Sequence, residues 1–252
     1  MCTSWEKLLH SDIACYYQPI VNNTNQIKHA ESLLRIHDPY KIYKIQEIVN
    51  KAKTDGWIDK LELWTIKENC KNYKQLRESG IEQININLSP TSCFTPNFVN
   101  CLYDIIAKYQ VPSSFICFEL TETEVVYGIK QLQEILQHLC DDGFQIAMDD
   151  FGTEQSGLLR LTQFPFTNIK IDREFAKILE TNKIVKPLLI SFMKFAKENG
   201  YTLTAEGMET ESQEQFFIEN GCDYLQGFYF SKALPLNQFL EFIKTSNQIR
   251  LY

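Results

Sequence analysis

The sequence contains no uninterrupted run of about 20 apolar residues, so it offers no candidate for a membrane-spanning helix. Residues 1–9 also lack the basic-then-apolar order of a secretion signal. Basic side chains are in the minority, 25 against 32 acidic ones, and the net charge of −7 gives no overall positive field for nucleic acid or an anionic membrane. We therefore expect a cytoplasmic protein that binds neither DNA nor a membrane. A polyanionic ligand would need cations to mediate its binding.

Zinc-binding patterns of cysteine and histidine are also missing. The 8 cysteines are never spaced Cys-x-x-Cys, and most of them lie in apolar runs. The 4 histidines stand away from the acidic positions described below; they are His10, His29, His37 and His138. The sequence therefore favours buried, reduced thiols over zinc sites or disulfides.

Short apolar runs alternate with longer segments of helical period, a pattern typical of β/α units on a parallel sheet. The predicted strands are 14–20, 29–36, 83–89, 115–122, 145–150, 167–172, 202–206 and 224–230. The predicted helices lie near 44–55, 57–78, 96–109, 129–141, 156–163, 184–199, 210–219 and 236–246. Residues 21–28 leave no room for a crossover helix between the first two strands, so this pair should be an antiparallel hairpin. The fold class is thus α/β, a single-domain modified TIM (β/α)8 barrel with an antiparallel first strand.

Acidic side chains recur at the carboxyl ends of the predicted strands. In a barrel of this kind, the active site forms at these strand ends. They stand there together with asparagines and a lysine: Glu31, Asn85, Asn87, Glu119, Glu122, Asp149, Asp150, Lys170, Asp172, Glu206 and Glu209. Any single carboxylate at a strand end is equally well explained as a helix N-cap or a loop salt bridge. Carboxylates gathered at one barrel mouth repel one another, however, so the whole set requires cations or shared protons.

Oxygen ligands of this kind select Mg²⁺, Mn²⁺ or Ca²⁺. Two such cations about 3.5–4 Å apart would activate a water for in-line attack on phosphorus and stabilise the leaving oxygen. Lys170 would lie beside that water or would balance the neighbouring aspartates, and the two roles are compatible. A barrel that performs enolase-like chemistry on a carboxylate substrate uses similar residue types and stays an alternative at this point.

Eight motifs follow one another along the chain, at 17–20 (YQPI), 31–35 (ESLLR), 85–89 (NINLS), 119–122 (ELTE), 149–153 (DDFGT), 169–172 (IKID), 205–210 (AEGMET) and 225–232 (LQGFYFSK). Their order resembles that of bacterial EAL-domain proteins, the cyclic di-GMP phosphodiesterases. The resemblance covers roughly residues 14–245. It therefore implies one EAL-type phosphodiesterase domain over 1–252, and this motif order disfavours the enolase-like alternative.

For the site, the resemblance implies the metal ligands Glu31, Asn87, Glu119, Asp149 and Glu206, with Asp150 bridging or bound to the second ion. It implies that Lys170 orients or deprotonates the attacking water, and that the other catalytic residues are Glu31, Glu206 and Glu209. The implied substrate-binding residues are Gln18, Leu33, Arg35, Asp172 and Gln226, and Glu122 would stabilise the loop after the fifth strand.

The reaction that the resemblance implies is hydrolysis of one phosphodiester of cyclic di-GMP to the linear dinucleotide. Mg²⁺ or Mn²⁺ would be the cofactor, two ions per site, and Ca²⁺ would inhibit because its looser geometry does not enforce the in-line clamp. A homodimer is also implied. Because the predicted barrel takes up almost the whole chain, we expect regulation to come from dimerisation, a partner protein or expression level.

The chain departs from the family pattern at several positions. In the loop after the fifth strand, Glu154 and Gln155 replace a glycine and an aromatic residue, which bears on metal affinity and on dimer-linked activation. Thr167 replaces a usual aspartate, and residues 36–53 lack the usual WxHP and FIPxAE patterns. All implied ligands and Lys170 are retained, which favours an active enzyme. The alternative is a weakly active or inactive member that acts as a cyclic di-GMP receptor or protein-binding regulator.

Overall fold

The computed structural model describes residues 12–37, 44–121, 128–152 and 157–249. The strands in this part of the chain are β1 (Asp12–Asn22), β2 (Ile27–His37), β3 (Gln83–Asn87), β4 (Ile116–Thr121), β5 (Gln145–Phe151), β6 (Asn168–Ile171), β7 (Thr202–Ala205), β8 (Tyr224–Leu225) and β9 (Leu234–Pro235). Strands β2 to β8 are parallel and follow one another in chain order, while β1 pairs with both β8 and β2 and closes the barrel. The predicted modified TIM barrel is confirmed.

Strand β1 runs antiparallel to both of its barrel neighbours. It pairs with β2 over most of its length, with Gln18 opposite Glu31, and its end pairs with β8. The turn between β1 and β2 is held by Asn22, whose Oδ1 accepts hydrogen bonds from the backbone N–H groups of Thr24 and Gln26. A link this short cannot contain a crossover helix, which is the physical reason for the antiparallel first strand that the sequence predicts.

Helices cover the outside of the barrel. They are α1 (Ile45–Thr54), α2 (Ile58–Glu78), α3 (Pro90–Cys93), α4 (Phe98–Tyr109), α5 (Ile129–Asp141), α6 (Gly157–Leu161), α7 (Arg173–Ile178), α8 (Val185–Glu198), α9 (Glu211–Glu219) and α10 (Leu236–Ile249). Each helix predicted from the sequence is present, with its ends displaced by at most a turn. In the described part of the chain, no helix combines the length and the apolar character needed to cross a membrane.

Helices α3 and α7 are absent from the sequence predictions because each is too short to show a helical period. The residues at their N-terminal ends explain them instead. Pro90 occupies the first turn of α3, where a missing N–H costs no hydrogen bond. Asp172 caps α7, and its Oδ1 accepts a hydrogen bond from the backbone N–H of Glu174 at 2.8 Å.

The predicted strand 224–230 is wrong beyond its second residue, since β8 ends at Leu225. The cause is close backbone packing at Gly227, where an added Cβ would lie 2.2 Å from the backbone N and O of Met208. The backbone N–H of Phe230 then donates to the Gly227 carbonyl, so the chain turns instead of extending the strand. The loops that follow β7 and β8 therefore touch each other directly.

Apolar side chains pack between the strands and the helices. The largest of those that are fully buried include Tyr17, Phe118, Phe144, Phe217 and Phe239. Each such side chain contributes about 1.5–3 kcal/mol relative to its exposed state. The cysteines of the described residues are free thiols, as predicted, and those that are buried are Cys15, Cys70, Cys93, Cys117 and Cys222.

Candidate active site

The parallel register of the strands brings the acidic side chains to one end of the barrel. Glu31 of β2 lies opposite Asn85 of β3, and Asn87 lies opposite Glu119 of β4. Because alternate residues of a strand point to the same side, Asn85 and Asn87 both face the barrel interior. Asn85 donates to Glu119 at 2.8 Å, and Asn87 donates to Glu31 at 3.4 Å. The register therefore assembles ligand-type side chains from consecutive strands.

Lys170 of β6 lies at the centre of these carboxylates. Its Nζ is 2.7 Å from Glu119 Oε1 and 2.7 Å from Glu206 Oε1. It is also 2.9 Å from Asp149 Oδ1 and 3.7 Å from Glu31 Oε2. Only 1% of the Lys170 surface is exposed. Burial alone lowers the pKa of this ammonium, but the surrounding carboxylates outweigh burial and hold the pKa of Lys170 well above its usual range.

The carboxylates carry more negative charge than Lys170 can neutralise. Burial, reinforced by Asp149 and Glu31, raises the pKa of Glu206 to about 8 even though Lys170 acts in the opposite direction. Burial, followed by the charges of Asp149 and Asp172, raises the pKa of Asp150 to about 6. A bound cation would relieve this excess of negative charge.

Glu31 accepts hydrogen bonds from two amide groups, one on β3 and one directly after β8. Gln226, directly after β8, donates from Nε2 to Glu31 Oε2 at 2.6 Å, while Asn87 donates to Oε1. The same Gln226 Nε2 lies 3.3 Å from Gln18 Oε1, and Gln18 Nε2 donates to the backbone carbonyl of Ser231 at 3.2 Å. These bonds connect β1 and the loop after β8 to a single carboxylate.

Two cavities meet at Glu31. The first, of about 420 Å³, is lined by Glu31, Asp149, Asp150, Lys170, Asp172, Arg173, Glu174 and Glu206. The second, of about 310 Å³, runs from Glu31, Asn87 and Glu119 outward between β2, α1 and α2. Its outer wall includes Leu33, Arg35, Ile45, Val49, Ile58, Leu61 and Glu62. An acidic cleft thus adjoins a pocket with apolar walls and a few charged groups.

The donor set fits hard divalent cations. Carboxylate oxygens of Asp149, Asp150 and Glu206 lie within 4.8 Å of one another, close enough to share an ion. Glu119 Oε2 is buried and accepts no hydrogen bond from the described residues. Asp150 adopts a φ of 54°, an uncommon conformation for a residue other than glycine and one that concentrates at functional sites. Carboxylate and amide oxygens in this arrangement suit Mg²⁺ or Mn²⁺.

The structure brings together most of the site residues named from the sequence, but not all of them. Leu33 and Arg35 line the second cavity, and the Arg35 guanidinium lies 5.9 Å from the Tyr16 ring centre. Asp172 lines the acidic cleft and also caps α7. Glu209 is exposed, its backbone N–H donates to Gln213, and it lines neither cavity. Glu122 and the loop residues Glu154 and Gln155 lie outside the described residues.

Sequence reasoning missed Glu62 and the contact between Asn85 and Glu119. Glu62 of α2 is buried, lines the second cavity, and accepts a hydrogen bond from the Ser89 backbone N–H at 2.8 Å. The available signal is its position on the buried face of α2, beside Leu61 and Thr65, where a carboxylate is expensive without a partner.

Comparison with known proteins places this chain in a family. The chain is 30% identical over 241 residues to the signaling protein YkoW of Bacillus subtilis, covering 94% of this chain and 30% of that protein. It is 28% identical over 241 residues to the cyclic di-GMP phosphodiesterase RocR of Pseudomonas aeruginosa, covering 94% of this chain and 61% of that protein. The chain thus spans less than a third of YkoW and less than two thirds of RocR.

Solved structures with the same fold include an EAL enzyme, Bd1971, in its cAMP- and cyclic-di-GMP-bound form, with a TM-score of 0.85, 29% identity, and coverage of 92% of this chain and 65% of that chain. The PaMucR phosphodiesterase in complex with c-di-GMP gives a TM-score of 0.81 with 27% identity, covering 90% of this chain and 94% of that chain. The sequence model of the EAL domain matches residues 4–233, which is most of the chain. The chain belongs to the EAL domain family.

Proposed function

We propose that this protein hydrolyses one phosphodiester bond of cyclic di-GMP to give the linear dinucleotide, in a reaction that requires Mg²⁺ or Mn²⁺. The observation that carries the proposal is the buried Lys170 ammonium held between carboxylates from separate strands, beside a cleft that shares Glu31 with a second pocket. The similarity to RocR, a cyclic di-GMP phosphodiesterase, and to PaMucR, a phosphodiesterase in complex with c-di-GMP, supports the choice of reaction and ligand.

The ligands proposed for the cations are Glu31, Asn87, Glu119, Asp149, Asp150 and Glu206. When bound, the ions supply an activated water and neutralise charge that develops on the phosphate. Lys170 holds Glu119, Asp149 and Glu206 through contacts of 2.7–2.9 Å and keeps these carboxylates in place. Because Lys170 is protonated among carboxylates, we assign it the orientation of the water and the stabilisation of negative charge.

The substrate would bridge the two cavities. Its phosphate would lie at the acidic cleft, where cations compensate for the negative charge of the protein, and Arg35 would donate to a phosphate from the second cavity. The apolar walls of that cavity suit a planar base. Glu62 in the same wall suits guanine, because a carboxylate accepts hydrogen bonds from the N–H groups of the guanine edge. Gln18, Leu33, Asp172 and Gln226 complete the proposed substrate site.

The same proposal includes Ca²⁺ as an inhibitor, Glu209 and Glu122 as supporting residues, and a homodimer in the cytoplasm whose activity a partner protein can regulate. The proposal also places the core of the domain at about residues 14–245. Light scattering of the purified protein measures the oligomeric state, and a monomer at all concentrations would contradict the dimer.

The test is a chromatographic assay of the purified protein with cyclic di-GMP in Mg²⁺, in Mn²⁺ and in chelator, with binding measured in Ca²⁺. We expect the linear dinucleotide only in Mg²⁺ or Mn²⁺, and we expect Lys170→Ala to abolish it. Lys197→Ala is the matched control, since Lys197 pairs with Asp223 on the outer surface and should keep full activity. Binding without turnover would contradict the enzyme and support a receptor. Absence of both would contradict the nucleotide ligand.

A further inference from the structure

The two carboxylate oxygens of Glu119 have different surroundings. Oε1 receives two donors, Lys170 Nζ at 2.7 Å and Asn85 Nδ2 at 2.8 Å. Oε2 is buried and accepts no hydrogen bond from any residue that the structure describes. Only 1% of the Glu119 surface is exposed, so water has little access to replace a missing partner. Oε1 of Glu119 therefore already accepts two hydrogen bonds, whereas Oε2 is available to a ligand.

Asn85 is itself held in one orientation. Gln83, two residues earlier on β3 and on the same side of the strand, donates from Nε2 to Asn85 Oδ1 at 3.4 Å. Both amides are buried, with 7% of the surface exposed at Gln83 and 3% at Asn85. Turning the Asn85 amide by 180° would place its oxygen against Glu119 and its nitrogen against the donor of Gln83. The pair therefore fixes which end of Asn85 faces the carboxylate.

We propose that Asn85 is a positioning residue that binds Oε1 of Glu119 and so presents Oε2 to the divalent cation. The inference rests on the proposed function only through the cation site that includes Glu119. Lys170 is not dedicated to Glu119, because its ammonium also contacts Asp149 and Glu206. The Asn85 amide nitrogen donates to the Glu119 carboxylate, and the Asn85 amide oxygen accepts a hydrogen bond from Gln83. An aspartate at position 85 would repel Glu119.

The test measures Mn²⁺ binding to the full chain without nucleotide, by the electron paramagnetic resonance signal of free Mn²⁺. Asn85→Leu removes the amide and keeps a side chain with the same branching. Loss of a group that orients a metal ligand typically weakens metal binding about 10–100-fold, and we expect a loss of this size. Asn168→Leu is the matched control, because Asn168 is also a buried asparagine of the barrel interior, but its amide donates to Cys117 Sγ at 3.9 Å. We expect it to bind Mn²⁺ within about twofold of the unchanged protein, because no metal ligand depends on it.

A double-mutant cycle with Glu119→Gln shows whether Asn85 acts through Glu119. We expect Asn85→Leu to add no further loss in that background, because the carboxylate it positions is gone. Wild-type Mn²⁺ affinity in Asn85→Leu, or full additivity in the cycle, would overturn the proposal. If circular dichroism shows that Asn85→Leu is unfolded, Asn85→Ser is measured by the same criteria. Hydrolysis of cyclic di-GMP by the unchanged protein is assayed separately, so failure of the proposed function is distinguishable from failure of this inference.

Discussion

Acidification should destabilise this protein through His29, which lies on β2 near the end of the barrel opposite Lys170. Its ring stacks on Tyr224 with centres 4.2 Å apart, and 9% of its surface is exposed. Burial lowers the pKa of His29 from 6.5 to about 4, with Lys28 assisting and Glu82 opposing. Between these two values the unfolded chain binds more protons than the folded one, so stability falls as the pH falls. At pH 5 the loss is about 2 kcal/mol, whereas at pH 7.5 it is close to zero.

The assay is urea unfolding of the wild-type protein and of His29→Phe at pH 7.5 and pH 5. Phenylalanine keeps a ring against Tyr224 but has no proton to bind. Any constant packing difference cancels between the two pH values, so His29→Phe should gain about 2 kcal/mol relative to wild type on acidification. His138→Gln on the exposed face of α5 is the control and should give no such gain. An equal difference between wild type and His29→Phe at both pH values would refute the reasoning.

The remaining predictions concern packing, capping and the site. Gly227→Ala should cost at least about 2 kcal/mol in the free energy of unfolding, because its Cβ would meet the Met208 backbone, which cannot move aside. Gly80→Ala has open space around it and should cost only about 1 kcal/mol of backbone strain, so equal losses in thermal unfolding would contradict this account. Asp172→Ala should be about 1 kcal/mol less stable than Asp172→Asn in urea, since asparagine still caps α7, and indistinguishable stabilities would show that the cap contributes nothing. Glu31→Ala should remain folded and lose hydrolysis of cyclic di-GMP in the chromatographic assay, because Glu31 joins both cavities, and undiminished turnover would contradict its role as a ligand.

Local patterns in the sequence were sufficient for most of the architecture. The alternation of apolar runs with helical segments predicts the barrel, and the short link between β1 and β2 predicts their antiparallel pairing. Carboxylates at strand ends predict a cation site because every parallel strand ends at the same rim. These features depend on neighbouring residues or on one general rule of topology, so a single sequence contains them.

Features that depend on contacts between distant segments could not be predicted in this way. The early end of β8 follows from the approach of Gly227 to Met208, which are brought together only by the closed barrel. The bond between Asn85 and Glu119 depends on strand register and on side-chain orientation, and the residue types alone do not specify either. Glu62 reaches the second cavity because α2 packs over the end of β3.

The direction of β1 also determines where the polypeptide enters the barrel. Asp12 pairs with His37 at the carboxyl end of β2, so the chain arrives on the rim that surrounds Lys170 and then runs away from it. A first strand parallel to its neighbours would enter at the opposite rim. A module fused ahead of Asp12 would therefore be tethered beside the mouth of the cleft, and the length of its linker would control how closely it can cover that opening.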